Sequence, residues 1–584
     1  MAESIISPGV FARENDVSFI NPAPVEAGAA ILGPTVKGPV LEPTIVTSYN
    51  EYKRKFGETF ISASSNQEFL TSIAVKNYFQ QGGNTMLVTR VVTGAFSNAT
   101  STHISSSDAL SVQPFTLKTL GKGSIFNAST GVTVPGVEIA SSGGVLVSGS
   151  EDNIRWEVTN VDNKKGTFTL LVRKGTDSNN SKVVLETFNN ISLDPQSSNY
   201  IEAKIGTQYK ATATDGTKDY VKTFGDYISK SNYIYVASVD NQLPGYLLND
   251  GITVNSNGAT SYSASMPKAE SGSFHGGTGN ITPASANYFG SISNTDTQGV
   301  NGSDYSTAIS ILNNKDEYIF NIISAPGLIY DNAAQGSALD SIITLAEQRG
   351  DCIAVVDLQN YASGVADVTG TATGLNSSYA AAYWPWVQVK SATGRNVWAP
   401  ASVAIPGVYA FTDNSSAPWY APAGLVRGGV VGIIQAEQKL TRGQRDLLYD
   451  GKVNPIATFP GQGIAVFGQK TLQTKASALD RVNVRRLLIE LKKFLGDQAR
   501  NLVFEQNTVA TRNKFLSTVN PYLESVVQRQ GLYAFRVVMD DTNNTADVVD
   551  RNQLIGQIFI QPARTAEFIV LDFTVEPTGA TFNG

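Results

Sequence analysis

The chain has 584 residues, 41% hydrophobic and 16% charged, with 50 acidic against 44 basic residues and a formal net charge of −6. That length exceeds what one hydrophobic core fills and predicts roughly three to five domains, and the acidic balance argues against long-range attraction to nucleic-acid phosphates. No run approaches the roughly 18 apolar residues that cross a bilayer, and the low charge leaves surface to be covered by Ser, Thr, Asn and Gly or by other subunits.

The first ten residues lack the basic flank and apolar stretch of a secretory signal, so the expectation is folding in a cytoplasm. A short alternating stretch around Val10 and Phe11 precedes a Pro-containing segment at 21–24, which reads as an arm (1–26) on a linker. From 27 to 94 short β-like runs at 29–32, 45–47 and 86–92 flank a predicted helix over 67–81 that stops at Gly82-Gly83. This is the first part of an α/β unit.

Residues 95–150 carry only Asp108, Lys118, Lys122 and Glu138 as charges. Strand-like runs follow at 154–158, 167–172, 182–186 and 233–236, so 95–300 reads as a β-rich insertion. Its last part, 255–302, is rich in Gly, Ser, Asn and Thr, which predicts loops and no second large core. Alternation resumes at 318–323, followed by a Ser-Ala-Pro-Gly turn, a helix over 337–348 and an apolar strand at 352–356. That spacing is a βαβ unit with a buried parallel sheet, placed in a domain spanning 301–404. The part from 405 to 566 is the most charged and helical, and it closes on strand-like runs at 532–538 and 557–560. In the arm at 567–584, Ile569, Leu571, Phe573 and Val575 fall on one face, with Phe568 and Val570 on the other. A last strand of the chain's own domain and β-augmentation between chains, with the stretch around Val10 as second donor, both fit this pattern.

Catalytic chemistry finds little to use. His103 and His275 stand in Gly/Ser/Thr-rich surroundings that read as surface loops, with no second His or Cys nearby for a zinc site and no evident place in a Ser-His-Asp arrangement. Cys352 lies in an apolar run and reads as a small buried hydrophobe. The glycine run at 276–279 lacks the Lys-Ser/Thr of a phosphate loop and reads as a plain loop. Gly461 and Gly463 likewise mark a tight turn before a strand at 464–467. No catalytic residue, metal or cofactor is expected. In a predicted helix over 479–495, Val484, Leu487, Leu488, Leu491 and Leu495 define a buried face, while Arg481, Arg485 and Lys492 form a stripe with Arg486 and Lys493 beside it. A solvated face supported by Asp480 and Glu490 and a contact with an acidic protein surface are the two readings of this stripe.

Several stretches in order resemble the contractile tail sheath proteins of bacteriophages and related injection machines. They are SPGV at 7–10, YWPWVQV at 383–389, IPGVYAFTD at 405–413, WYAPAG at 419–424, LYDGKVNPI at 448–456, DRVNVRRLL at 480–488, YAFRVVMDDTNNT at 533–545 and IQPART at 560–565. The resemblance is good from 405 to 573, fair over 1–92 and 300–400, and poor from about 95 to 300. It implies an α+β multidomain chain. Its middle domain would be α/β, subtilisin-like in fold and non-catalytic, its insertion β-rich and outward facing, and its α+β C-terminal domain an inner wall with exchanged terminal strands.

The implied function is that of a virion tail subunit, assembled in the host cytoplasm. It would polymerise helically in stacked rings around a tail tube and contract to drive the tube through the target envelope for genome or effector delivery. Implied partners are other copies of the chain, the tail tube protein, and baseplate and tail terminator proteins, with no direct nucleic acid and no membrane. Val10, Phe11, Phe568, Ile569, Val570, Leu571, Phe573 and Val575 would take part in strand exchange, and Arg481, Arg485, Arg486, Lys492 and Lys493 would face the tube. The resemblance makes 15–26 and the segment before Phe568 candidate hinges. A hydrolase with a subtilisin-related domain and a tail tube or capsid protein are the alternatives.

Overall fold

Ala-Ala-Ile-Leu-Gly at 29–33 carries no charge and is buried along its whole length, as a central strand covered on both faces must be. In a computed structural model of the chain, which describes residues 26–62, 65–107, 113–128, 146, 152–216, 218–279, 292–293 and 296–568, this strand sits inside an eight-stranded sheet. The strands are β1 (Ala29–Gly33), β2 (Thr44–Val46), β3 (Met86–Arg90), β4 (Ile322–Ile329), β5 (Ile353–Asp357), β6 (Ala380–Trp384), β7 (Val453–Phe459) and β8 (Gly463–Val466), in the order β2-β3-β1-β4-β5-β6-β7-β8. The pairs from β3 to β7 are parallel, and the two edge pairs, β2–β3 and β7–β8, are antiparallel.

Alternate residues of these strands feed two cores. Ala29 and Ile31 pack with Ile353, Val355 and helices α1 (Leu70–Gln80) and α3 (Ile405–Ser415), whereas Ala30 and Leu32 pack with Ala354, Val356 and α2 (Ala333–Arg349). The period of two thus builds a three-layer body, helix on sheet on helix. Helix α4 (Arg442–Asp450) joins the second face through Leu448. Gly350 ends α2 in the left-handed conformation at φ 70°.

The structure alters several sequence expectations. Residues 324–327 do not form a turn but run inside β4, where the register shifts between Ser324 and Ile329 and Gly327 takes φ 102°. A bulge absorbs the Pro-Gly pair without ending the strand. The helix expected over 67–81 starts at Leu70, because 65–68 pair as a strand with Thr59–Ser62; a shorter helix, Tyr49–Phe56, precedes it. The sheet also passes the expected boundary at 404: β7 and β8 lie beyond it and complete the same body.

Within the insertion, two four-stranded antiparallel sheets enclose one core. One holds Ile154–Asp162, Thr167–Lys174 and Val184–Ser192, and the other Asn98–Ser101, Phe115–Lys122 and Ile234–Val239. Each is completed by a two-residue strand from the stretch expected to be loops, Ser271–Gly272 and Phe274–His275. That stretch therefore supplies edge strands and places Met266 and Phe274 in the insertion core. His275 accordingly stands in a strand rather than a surface loop, and burial lowers its imidazole's pKa.

A fourth core belongs to the C-terminal unit. Helices α5 (Val482–Arg500) and α6 (Val509–Gln528) pack against a two-stranded antiparallel ribbon of β9 (Leu532–Val538) and β10 (Gln557–Pro562) through Leu487, Leu491, Phe515, Val519, Leu523 and Leu532. No helix among the described residues is long and apolar enough to cross a membrane.

Candidate functional site

Helix α5 serves two cores at once. Val482 and Ile489, seven residues apart, are buried in the core of the α/β body, while Leu487 and Leu491, four apart, are buried in the C-terminal core. Both spacings return side chains to one face of a helix, so two faces of one rod join two units. Of the apolar residues expected on its buried face, Leu487 and Leu491 are in this core with Leu488 and Leu495 partly covered against it, and Val484 is buried outside both cores.

The basic stripe is largely consumed within the chain. Arg486 is 3% exposed and donates to both oxygens of Asp413 at 2.7 and 2.5 Å, and its guanidinium lies 4.7 Å from the centre of the Tyr409 ring. The Tyr409 hydroxyl in turn meets that of Tyr383 at 2.6 Å. Burial pushes the Asp413 carboxyl up in pKa and the adjacent guanidinium offsets part of that shift. Arg485 is 4% exposed, stacks 4.0 Å from the Tyr379 ring centre and donates to Ser378 Oγ at 2.5 Å. Neither guanidinium reaches a surface that could face a tube, which corrects the expectation for Arg485 and Arg486. The two cations look outward on a helical wheel, but α3 and the turn at 378–379 leading into β6 cover that side.

Arg481, Lys492 and Lys493 are more open. Lys492 donates to the Tyr379 hydroxyl at 3.1 Å and is exposed, and Lys493 pairs with Glu26. Arg481 pairs with Asp480 at 3.0 Å and donates through Nε to Glu567 at 2.8 Å. Glu567 also accepts from Gln469 Nε2 at 2.9 Å and from the Tyr449 hydroxyl at 2.7 Å. Burial works to raise the Glu567 pKa, but the hydrogen bonds from Arg481, Tyr449 and Gln469 outweigh it and hold the carboxyl below the ordinary glutamate range.

These contacts tie both ends of the described stretch, the expected roots of the two arms, to one helix. Glu26, the first described residue, meets Lys493, and the following residue bridges Phe320 ahead of β4, with Ala27 N–H donating to Ile319 O at 2.9 Å. Glu567 is fastened at Arg481. Twelve residues separate Arg481 from Lys493, which at 1.5 Å per residue is about 18 Å of helix. The segment before Phe568, a candidate hinge on sequence grounds, is therefore tied down by Glu567. Phe568 itself is 80% exposed and stands outside any strand. Val10, Phe11, Ile569, Val570, Leu571, Phe573 and Val575 lie outside the described residues.

The acidic partners Glu26, Asp413 and Glu567, the aromatic Tyr379 and Tyr449, and the amide Gln469 escape a sequence reading. The Arg486–Asp413 and Arg481–Glu567 pairs span 73 and 86 residues, far beyond any local spacing rule. The buried Asp357 escapes it too. It ends β5, accepts from Ser402 N–H at 3.1 Å, and is pushed up to about 7 by burial, partly offset by Ser402. Cys352 is buried, and burial pushes its thiol up well beyond the usual range.

Comparison with known proteins agrees with this architecture. Residues 298–472 match the phage tail sheath protein central domain, and residues 474–576 the phage tail sheath C-terminal domain. The tail sheath protein of Vibrio phage KVP40 is 38% identical over 234 residues, which cover 39% of this chain and 35% of that protein. That of Enterobacteria phage T4 is 34% identical over 260 residues, covering 41% and 40%. The chain thus spans about two fifths or less of the length of these curated relatives. A crystal structure of a sheath tail protein from Listeria innocua, 12% identical, superposes with a TM-score of 0.50 over 92% of this chain and 96% of that one, which supports the mixed α+β multidomain fold. Over residues 298–472 and 474–576, this chain is therefore similar to the central and C-terminal domains of the phage tail sheath family.

Proposed function

We propose that the chain is the structural subunit of a contractile tail sheath. It polymerises helically around a tail tube and contracts to drive the tube through a target envelope, delivering a genome or effectors. The observation that carries this reading is the pair of consecutive sheath domains, 298–472 and 474–576, joined by the one helix that also holds both arm roots. The α/β body is read as subtilisin-like in fold with no protease activity, since fold does not carry function. The insertion faces outward, the C-terminal unit forms the inner wall, and the assembled subunit resides in the virion tail.

Strand exchange is the proposed fastening. Among the described residues β9 and β10 pair only with each other, leaving two edges able to accept strands from neighbouring copies. Val10 and Phe11 at one end and Phe568, Ile569, Val570, Leu571, Phe573 and Val575 at the other supply the donors. The other partners are the tail tube, baseplate and tail terminator proteins. Arg481, Lys492 and Lys493 remain as the tube-facing cations. Electron microscopy of the purified chain and of particles containing it tests the reading. Helical tubes, with an extended and a shorter, wider form in particles, are expected, and a protein that stays monomeric under all assembly conditions would sink it.

A further inference from the structure

Two apolar surfaces at opposite ends of α5 have no cover among the described residues. The first is a knob on the loop between α5 and α6. Phe504 is fully exposed, with Val503 and Val509 61% and 58% exposed beside it. The loop is held in place: Leu502 is buried in the C-terminal core, Glu505 N–H donates to Leu502 O at 3.0 Å, and Asn507 Nδ2 donates to Gln553 O at 2.9 Å. Phe504 takes φ 71°, a left-handed conformation that is a steric outlier for a bulky side chain. A braced loop that accepts this strain to present a phenylalanine to solvent has the form of an interface anchor. Glu505, next to it, is exposed and has no ion-pair partner among the described residues.

The second surface flanks the edge strand β8. Leu425, Val426, Val431, Ile434 and Phe467 are between 44% and 82% exposed. The segment carrying them is fixed to the edge, with Val466 N–H donating to Gly428 O at 2.8 Å and Gly429 bridging Ala465. Its charges are cationic where the knob's is anionic: Arg445 lies 5.8 Å from the Phe467 ring centre and Arg427 beside Tyr420. The first turn of α5 adjoins the segment that follows β8, through Val482 N–H to Gln469 O at 2.8 Å, while Phe504 lies beyond the last turn. The 19 residues of α5 span about 28 Å, so knob and patch cannot meet within one chain.

We propose that Phe504 of one copy docks on the Leu425–Val426–Val431–Ile434 patch of the next copy, with Glu505 facing Arg427 and Arg445. Unlike surfaces on opposite ends form a heterologous contact, which generates rings or open helical arrays rather than a closed dimer. The proposal rests on the sheath reading and adds to it a contact between bodies, separate from the arms.

Full-length Phe504→Cys and Val426→Cys chains, mixed under assembly conditions and oxidised, test it. Cys352 is buried and stays silent. A 504–426 disulfide identified by peptide mapping is expected in the mixture, and a ladder of covalent oligomers in the double variant. Tubes that form without that disulfide, or that join position 504 to another surface or to the tube, overturn the docking and leave the sheath reading standing. Absence of any ordered polymer from the unmodified chain sinks both. Phe504→Ser should raise the critical concentration for assembly about tenfold or more, as loss of an aromatic anchor does. An unchanged value also overturns the docking.

Discussion

The insertion and the α5 seam both bury arginine, and they use it for opposite ends. In the insertion, Arg173 is fully buried and clasps Asp177 with Nε and Nη2 at 2.7 and 2.8 Å. It also reaches Glu157 at 2.9 Å, while Arg155 lies 3.6 Å from the same Asp177. These partners are 4, 16 and 22 residues apart, inside two neighbouring strands and the turn that follows them. At the seam, Arg486 and Arg481 reach 73 and 86 residues away. A local network lets a module close its own core whatever surrounds it. A long-range network has no such independence, since each pair forms only when separate segments have already met, and so couples body, C-terminal unit and arms. The match to the sheath central domain begins at residue 298, past the self-contained insertion.

Breaking the local network should give the largest effect. Asp177→Ala removes the carboxylate that Arg173 and Arg155 share, leaving Arg173 with Glu157 and Arg155 with Ser271, and should cost the insertion about 4 kcal/mol, within the range for a broken buried ion pair. Calorimetry should then show an insertion transition shifted down while the transition of the α/β body stays in place. At the seam, Arg486→Ala strands the half-buried Asp413 and removes a cation from the Tyr409 ring, for about 3 kcal/mol. Here body and C-terminal unit should be destabilised together. Independent melting of the two would refute the coupling drawn from α5.

The smallest effect belongs to the half-exposed arm clamp. Glu567→Gln keeps the shape but loses charge-assisted hydrogen bonds, worth about 1 kcal/mol once solvent screening is allowed for. Because the folded pKa of Glu567 is depressed, its contribution is complete above the unfolded glutamate value, about 4.3, and is lost as the pH falls through the folded value. Proteolysis at the arm root should therefore quicken on acidification in the parent chain, and in Glu567→Gln should already be quick and independent of pH. Identical profiles for the two would remove Glu567 as the fastener.

Legibility in the sequence divides along the same line of local against distant. Strand β9 was readable to the residue, because Leu532–Val538 is a short run of aromatic and aliphatic residues bounded by Gly531. The apolar period of α5 likewise announced a helix, though it begins at Val482 and runs on to Arg500. Pro326-Gly327 misled, since only the neighbouring strands β1 and β5 make a bulge cheaper there than a turn. Phe274-His275 and Ser271-Gly272 were too short and too polar to announce strands, and they pair only because the insertion sheets offer them edges. The stripe from Arg481 to Lys493 was visible, but its acidic partners were not, and without them two buried guanidiniums looked like surface charges.

The placement of both arm roots on α5 bears on how a lattice of such subunits could change shape. A knot whose two cords leave from points about 18 Å apart on one rod can turn, and carries the cords around with it, but cannot lengthen the span between them. In the proposed sheath, a change of spacing between copies would therefore have to arise outside this span. Torque applied to one body would then reach the next along the net with little lost to bending inside the knot.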